Sequence, residues 1–131
     1  MRWALLLAAL LACAWFALVL RSLHEQATVQ AFLAAHPRID ASQASSLGAE
    51  IGRARFLNPD EAINTLDAFV QVQAQHLGRA VAIFRQIALR EPQNLENWTV
   101  LEFVTGDRYP QIYRQAVLAV QALAPPVPAS R

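Results

Sequence analysis

The sequence predicts an all-α chain, with one N-terminal transmembrane helix followed by antiparallel helical hairpins. Three observations lead there. Residues 3–20 run for eighteen positions without a charge. Beyond them, apolar residues recur at helical rather than alternating spacing, and no strand-like run of Val, Ile and Thr interrupts them. Finally, Pro59, Pro92 and Pro125 stand 33 residues apart, and each follows a comparable helical stretch. At 131 residues there is room for one small domain beside the apolar run.

As a helix, Trp3–Leu20 is about 27 Å long, close to the hydrocarbon thickness of a bilayer. Arg2 and Arg21 bracket it, and Trp3 and Trp15-Phe16 suit the interfaces. Three readings compete: a single-pass anchor, a cleaved secretory signal, and a buried core helix. The run is long for a signal, and no clean small-x-small site follows it before the polar Arg21-Ser22. A helix that is apolar all round has little to bury against in so small a domain. The anchor, over residues 1–22, is therefore the expectation. Leu10-Leu11-Ala12-Cys13 has the form of a bacterial lipobox, but the apolar run continues for seven residues past Cys13, where a lipidated chain turns polar. The arginine count does not fix the orientation and leans toward an N-terminus inside, with the helical domain outside the cytoplasm.

Residues 23–39 read as a juxtamembrane helix and linker. Leu23, Ala27, Ala31 and Ala34 hold helical spacing, and His36-Pro37-Arg38 ends the helix. This stretch either extends the membrane helix into water or forms the first helix of the repeat region, and the two are compatible. The repeat domain is drawn over residues 40–124. Asp40 caps a helix over Ala41–Leu57, in which Gly48 and Gly52 either admit a close neighbour or simply weaken the helix. Asn58-Pro59-Asp60-Glu61 starts the next, with Pro59 at the first helical position and the carboxylates at the positive end of the dipole. It runs to about Leu77. Ala62, Leu66, Phe69, Val70 and Ala74 form its inner face, and Asn64, Asp67, Gln71, Gln73 and Gln75 its outer one. Gly78 is the expected left-handed residue at its end.

Ala80, Ile83, Phe84 and Ile87 line the next helix, which Pro92 closes near Arg90. Asn94 caps a helix over residues 95–104, which Gly106-Asp107 ends. Tyr109-Pro110 opens the last helix, Gln111–Leu123, with Ile112, Tyr113, Ala116, Val117, Val120 and Leu123 as one stripe. Residues 125–131 form a proline-rich, disordered tail.

The period extends beyond the prolines. Leu47, Ala80 and Tyr113 stand twelve residues before them, Ile51, Phe84 and Val117 eight, and Ala54, Ile87 and Val120 five. A 33-residue period marks stacked helical hairpins. On Ala80, Phe84, the Glu91-Pro92 pair, Trp98 and Leu101, with Ala54 and Asn58-Pro59-Asp60 as an earlier corner, the stretch of roughly 40–125 resembles the tetratricopeptide repeat (TPR) family, in its bacterial membrane-anchored form. It departs from the pattern at Ile87, where a small residue is usual, at Asp67 and Gln71, and in a turn before Ala80 about three residues short.

The resemblance implies hairpins whose first helices line a groove, here offering Asn64, Gln71, Gln75 and Asn97 to a protein or peptide partner. The family's clamps for peptide carboxylates use Lys, and this chain has none, so no specific ligand is implied.

Chemistry is sparse. His24, His36 and His76 lack ligand spacing, and the single Cys13 cannot form an internal disulfide. No phosphate loop or nucleophile elbow is present. A net charge of +1 disfavours nucleic acid. Arg53, Arg55, Arg79, Arg85 and Arg90 are interspersed with carboxylates and read as a mixed-charge surface. The expectation is a membrane-tethered, non-catalytic interaction module without cofactor or metal. The alternatives are an accessory subunit packed permanently in a cell-envelope assembly, or a secreted repeat protein if the N-terminal run is removed.

Overall fold

The computed structural model describes residues 2–57 and 61–124, without the side chains of Arg2, Ala4, Leu5, Phe56 and Leu57. The described residues are all-helical, with no strand. Six helices follow one another: α1 (Arg2–Ala35), α2 (Ala41–Leu57), α3 (Glu61–Gln73), α4 (Leu77–Arg90), α5 (Leu95–Thr105) and α6 (Pro110–Leu123). The chain divides after Gln75 into two compact units. The start signal at Asn58-Pro59-Asp60 and the tail at 125–131 lie outside the described residues.

The first unit is built on α1, a continuous helix of 34 residues and about 51 Å. Among the described residues it is the one helix long and apolar enough to cross a membrane, and only 6% of its most apolar window is buried. Trp3, Leu10, Trp15 and Leu20 are 84%, 69%, 63% and 65% exposed, so the chain does not cover this run and it is no core helix.

The same helix then becomes a core element without a break. Ser22, Val29 and Leu33 are buried, with Gln26 half-buried between them. The inward stripe is therefore 22, 26, 29, 33. It is not the sequence-expected 23, 27, 31, 34, and Leu23 is 53% exposed. Val29, Leu33 and Ile39 pack with Leu47, Ile51 and Ala54 of α2 and Ile63, Leu66 and Val70 of α3. Residues 23–39 therefore supply part of the core of this unit.

Local chemistry sets the corner between α1 and α2. His36 closes α1, its backbone N–H donating to Phe32 O at 3.0 Å while its ring stacks on Phe32 at 4.1 Å. Asp40 and Gln43 form a reciprocal capping box: Gln43 N–H donates to Asp40 Oδ1 at 2.8 Å, and Asp40 N–H donates to Gln43 Oε1 at 2.9 Å. Ser42 Oγ donates to the same carboxylate at 2.7 Å.

These donors, the Gln43 amide first and the Ser42 hydroxyl second, hold the Asp40 carboxyl below its usual value of 3.8. A depressed folded-state pKa contributes stability above the unfolded pKa and loses it as pH falls through the folded one. Asp40→Asn keeps a capping acceptor but cannot titrate. Thermal melts of this variant should therefore change less than those of the parent chain between about pH 5 and pH 2.5.

Helices α2 and α3 pack on each other, and both pack on α1. Gln73 clasps the far end: its Nε2 donates to Leu33 O at 3.1 Å, and its carbonyl accepts from Ile39 N at 3.4 Å. The Cβ that an alanine would add at Gly48 or Gly52 meets nothing within 4 Å, so neither glycine serves a close helix approach.

The inner face of α3 differs from the expected one. Ile63, Leu66, Asp67, Ala68, Val70 and Gln71 are buried, while Ala62 is exposed and Phe69 is 38% exposed. Asp67 and Gln71 are inside because α2 supplies a cation: Arg55 Nη2 lies 3.2 Å from Asp67 Oδ2, and Gln71 Nε2 donates to Asp67 Oδ1 at 3.1 Å. A buried carboxylate is tolerable when paired in this way.

Helix α3 ends at Gln73 rather than Leu77. The left-handed residue is Gln75, at φ 62°, rather than Gly78. Gly78 lies instead in the first turn of α4.

In the second unit, α5 packs against both α4 and α6. Helix α4 closes at Arg90 ahead of Pro92, and Asn94 caps α5 by accepting from Glu96 N–H at 3.1 Å. Ala80, Phe84, Ile87, Trp98, Leu101 and Ala116 form the interior. Gly106 takes φ 42° at the end of α5, a conformation that favours glycine, and a short 3-10 turn leads to Pro110 at the start of α6.

Candidate functional site

The four amide residues expected to line a groove fall in both units. Asn64 is half-buried on α3, its Nδ2 donating to Glu61 Oε2 at 2.8 Å. Gln71 is 5% exposed, its amide engaged with Asp67. Gln75 is exposed, but it sits in the turn after α3, where its amide bends back to Val72 O at 3.5 Å. Asn97 is half-buried on α5 and donates to Glu91 Oε2 at 2.9 Å, an oxygen that also accepts from Asn94 Nδ2 at 3.0 Å. Asn64, Asp67 and Gln71 share one stripe of α3, which Arg55 of α2 bonds at Asp67. The Asn97 amide ties the Glu91-Pro92 corner to the start of α5. Three of the four amides thus carry structural bonds between residues no more than six apart, and the fourth shapes a turn.

The second unit carries a different surface. Phe103 is 89% exposed on α5 and Tyr113 is 37% exposed on α6. With Thr99, Glu102 and Gly106 they line a shallow, open cleft of about 380 Å³. Its position follows from the phase of α5. Trp98, Leu101 and Thr105 turn inward, which leaves Thr99 and Phe103, four residues apart, on the outside. The outward Phe103 was legible as an apolar residue out of step with Trp98 and Leu101. Tyr113 entered the sequence reading as part of the α6 stripe and of the 33-residue period, not as a contact residue. That stripe is half-covered: Ala116 is buried, while Ile112, Val117, Val120 and Leu123 are only half-buried.

Among the described residues no group of three His, Cys, Asp or Glu side chains is placed to hold a metal ion. His36 is engaged at the end of α1, with Nδ1 3.0 Å from Phe32 O. Glu61 accepts from Asn64 and stands in the first turn of α3, as its capping role requires. Of the arginines, Arg53 and Arg55 belong to the first unit and Arg79, Arg85 and Arg90 to the second.

Comparison of the chain with protein-family models, curated proteins and solved structures finds no match.

Proposed function

We propose that this chain is a single-pass, membrane-tethered interaction module, non-catalytic, whose helical domain stands outside the cytoplasm. The observation that carries the reading is the double character of α1. Its first part is apolar on every side and uncovered by the chain, and its last part lies in the core of a helical unit. A helix of that kind needs lipid for one half and protein for the other.

Several features support TPR-like stacking. Ala80, Phe84, Trp98 and Leu101 are buried around the Glu91-Pro92 corner. Leu47, Ile51 and Ala54 are buried at the equivalent places of α2. In this reading the partner is a protein or peptide, and the Phe103–Tyr113 cleft is its first point of contact. An exposed aromatic residue beside a tyrosine supplies rigid contact area at low entropic cost.

A second reading, permanent packing as an accessory subunit in a cell-envelope assembly, is favoured by the half-covered α6 stripe, which a neighbouring subunit would complete. Both readings are tested by cross-linking the full chain in its native membrane, alongside Phe103→Ser, a change on a surface that the fold does not use. A discrete cross-linked partner should form with the parent chain and fall about tenfold with Phe103→Ser, the ~1.4 kcal/mol expected if Phe103 is a central anchor of the contact. A transient partner is lost on detergent extraction, whereas a permanent one co-purifies. Equal cross-linking by both chains would remove the cleft from the account.

A further inference from the structure

The continuity of α1 fixes where the first unit stands relative to lipid. The uncharged run ends at Leu20, and the buried stripe begins at Ser22, two residues or about 3 Å further along the axis. No flexible segment separates the two, because α1 is helical throughout.

Helix α2 starts beside the far end of α1, after the corner at residues 36–40, and packs back along it. Its 17 residues span about 25 Å, the length of α1 from Ala35 back to about Leu18. Helix α3 returns toward the far end, where Gln73 bonds both Leu33 and Ile39. The C-terminus of α2 and the N-terminus of α3 therefore lie at the end of the unit that meets the apolar run. Ser22 is 1% exposed, so α1 is covered up to that level.

We propose that the last turns of α2, with the facing level of α1, rest in the lipid headgroup layer and that Arg21, Arg53 and Arg55 engage lipid phosphates there. The proposal rests on the reading of residues 3–20 as a membrane span. The headgroup layer is about 5–7 Å deep on each side of the hydrocarbon. An end that begins about 3 Å beyond the span lies inside it. The span itself, at about 27 Å, is slightly shorter than a hydrocarbon core of about 30 Å, and this mismatch draws the end inward.

The side chains fit that depth. Arg53 is exposed, and the Arg21 and Arg55 side chains are 64% and 46% exposed. Arg21 pairs with Glu25 through Nε at 3.1 Å, and Arg55 pairs with Asp67 through Nη2 at 3.2 Å. Each guanidinium has five N–H donors, so these ion pairs leave donors for phosphate and aim the side chains. The consequence is a first unit held upright on the bilayer, with the Arg38 corner about 20 Å out in water.

Spin labels on single cysteines test this in the full chain, carrying Cys13→Ser and reconstituted in nanodiscs of phosphatidylcholine with phosphatidylglycerol. The sites are Leu10→Cys, Gly52→Cys and Arg38→Cys. Position 52 accepts a side chain, because an added Cβ meets nothing within 4 Å. The label at 10 should collide with oxygen in the hydrocarbon. The label at 52 should lie within about 5 Å of the phosphate plane, and the label at 38 should be fully open to an aqueous nickel chelate. Arg53→Glu should move the label at 52 outward into water. A label at 52 as open to the chelate as that at 38, with position 10 still in lipid, would overturn the proposal and leave the span standing. An unmoved label in Arg53→Glu would overturn the phosphate contact. A label at 10 open to water would overturn both the proposal and the span.

Discussion

Replacing Trp98 with alanine should destabilise the second unit by about 3 kcal/mol. Trp98, on α5, is 5% exposed, and its loss leaves a cavity that the surroundings close only in part. The indole has a second role. Its Nε1–H donates to Pro92 O at 3.0 Å, so it bonds the corner that ends α4 to the helix that follows. The two contributions separate by substitution. Trp98→Phe keeps most of the volume and loses the hydrogen bond, and should cost about 1 kcal/mol beyond its smaller cavity. Trp98→Ala loses both. Thermal melts of the full chain in detergent, followed by far-ultraviolet dichroism, should show a drop of more than about 10 °C for the alanine variant in the transition of the second unit. An unchanged melt would mean that the corner is not held by this residue, and with it the helix–corner–helix packing around Pro92 would lose its main support.

Two arginines in the apolar run should have the next largest effect. Leu10 and Leu11 lie near the middle of residues 3–20 and are 69% and 64% exposed. At the centre of a membrane helix each arginine costs about 2.5–3.5 kcal/mol, so Leu10→Arg with Leu11→Arg opposes insertion by about 5–7 kcal/mol. The doubly substituted chain should leave the membrane fraction on alkaline carbonate extraction. Its two helical units should nevertheless stay folded, because neither residue contributes to their cores. Retention of the helical melt with loss of membrane association is the expected pair of results. Loss of the melt instead would assign the run to the interior of the fold.

What was legible in the sequence was local chemistry. Pro92 ends α4, Asn94 and Asp40 cap α5 and α2, and Pro110 opens α6, because each acts within a few residues of itself. The faces of α1 and α3 were not legible, because they depend on partners distant in sequence. Asp67 reads as a surface residue until Arg55, twelve residues away, is placed beside it, and Gln71 follows it inside. On α1, a regular row of alanines at 27, 31 and 34 masked the inward row of Ser22, Gln26, Val29 and Leu33. The turn after α3 carries no proline or glycine. Gln75 adopts the left-handed conformation itself, and the nearby Gly78 drew the expectation three residues downstream.

The same distinction governs the candidate site. Amides read as groove-lining are largely spent on neighbours close in sequence, as Asn97 is on Glu91 across the corner between α4 and α5. Phe103, which no periodic rule places inside, is the residue left fully presented.

Alkaline extraction of membranes bearing the unaltered chain, followed by the intact mass of what remains, tests the central claim most directly. The account predicts a chain that resists extraction and retains residues 3–20 at full mass. Release into the soluble fraction, or a mass short by those residues, would contradict it.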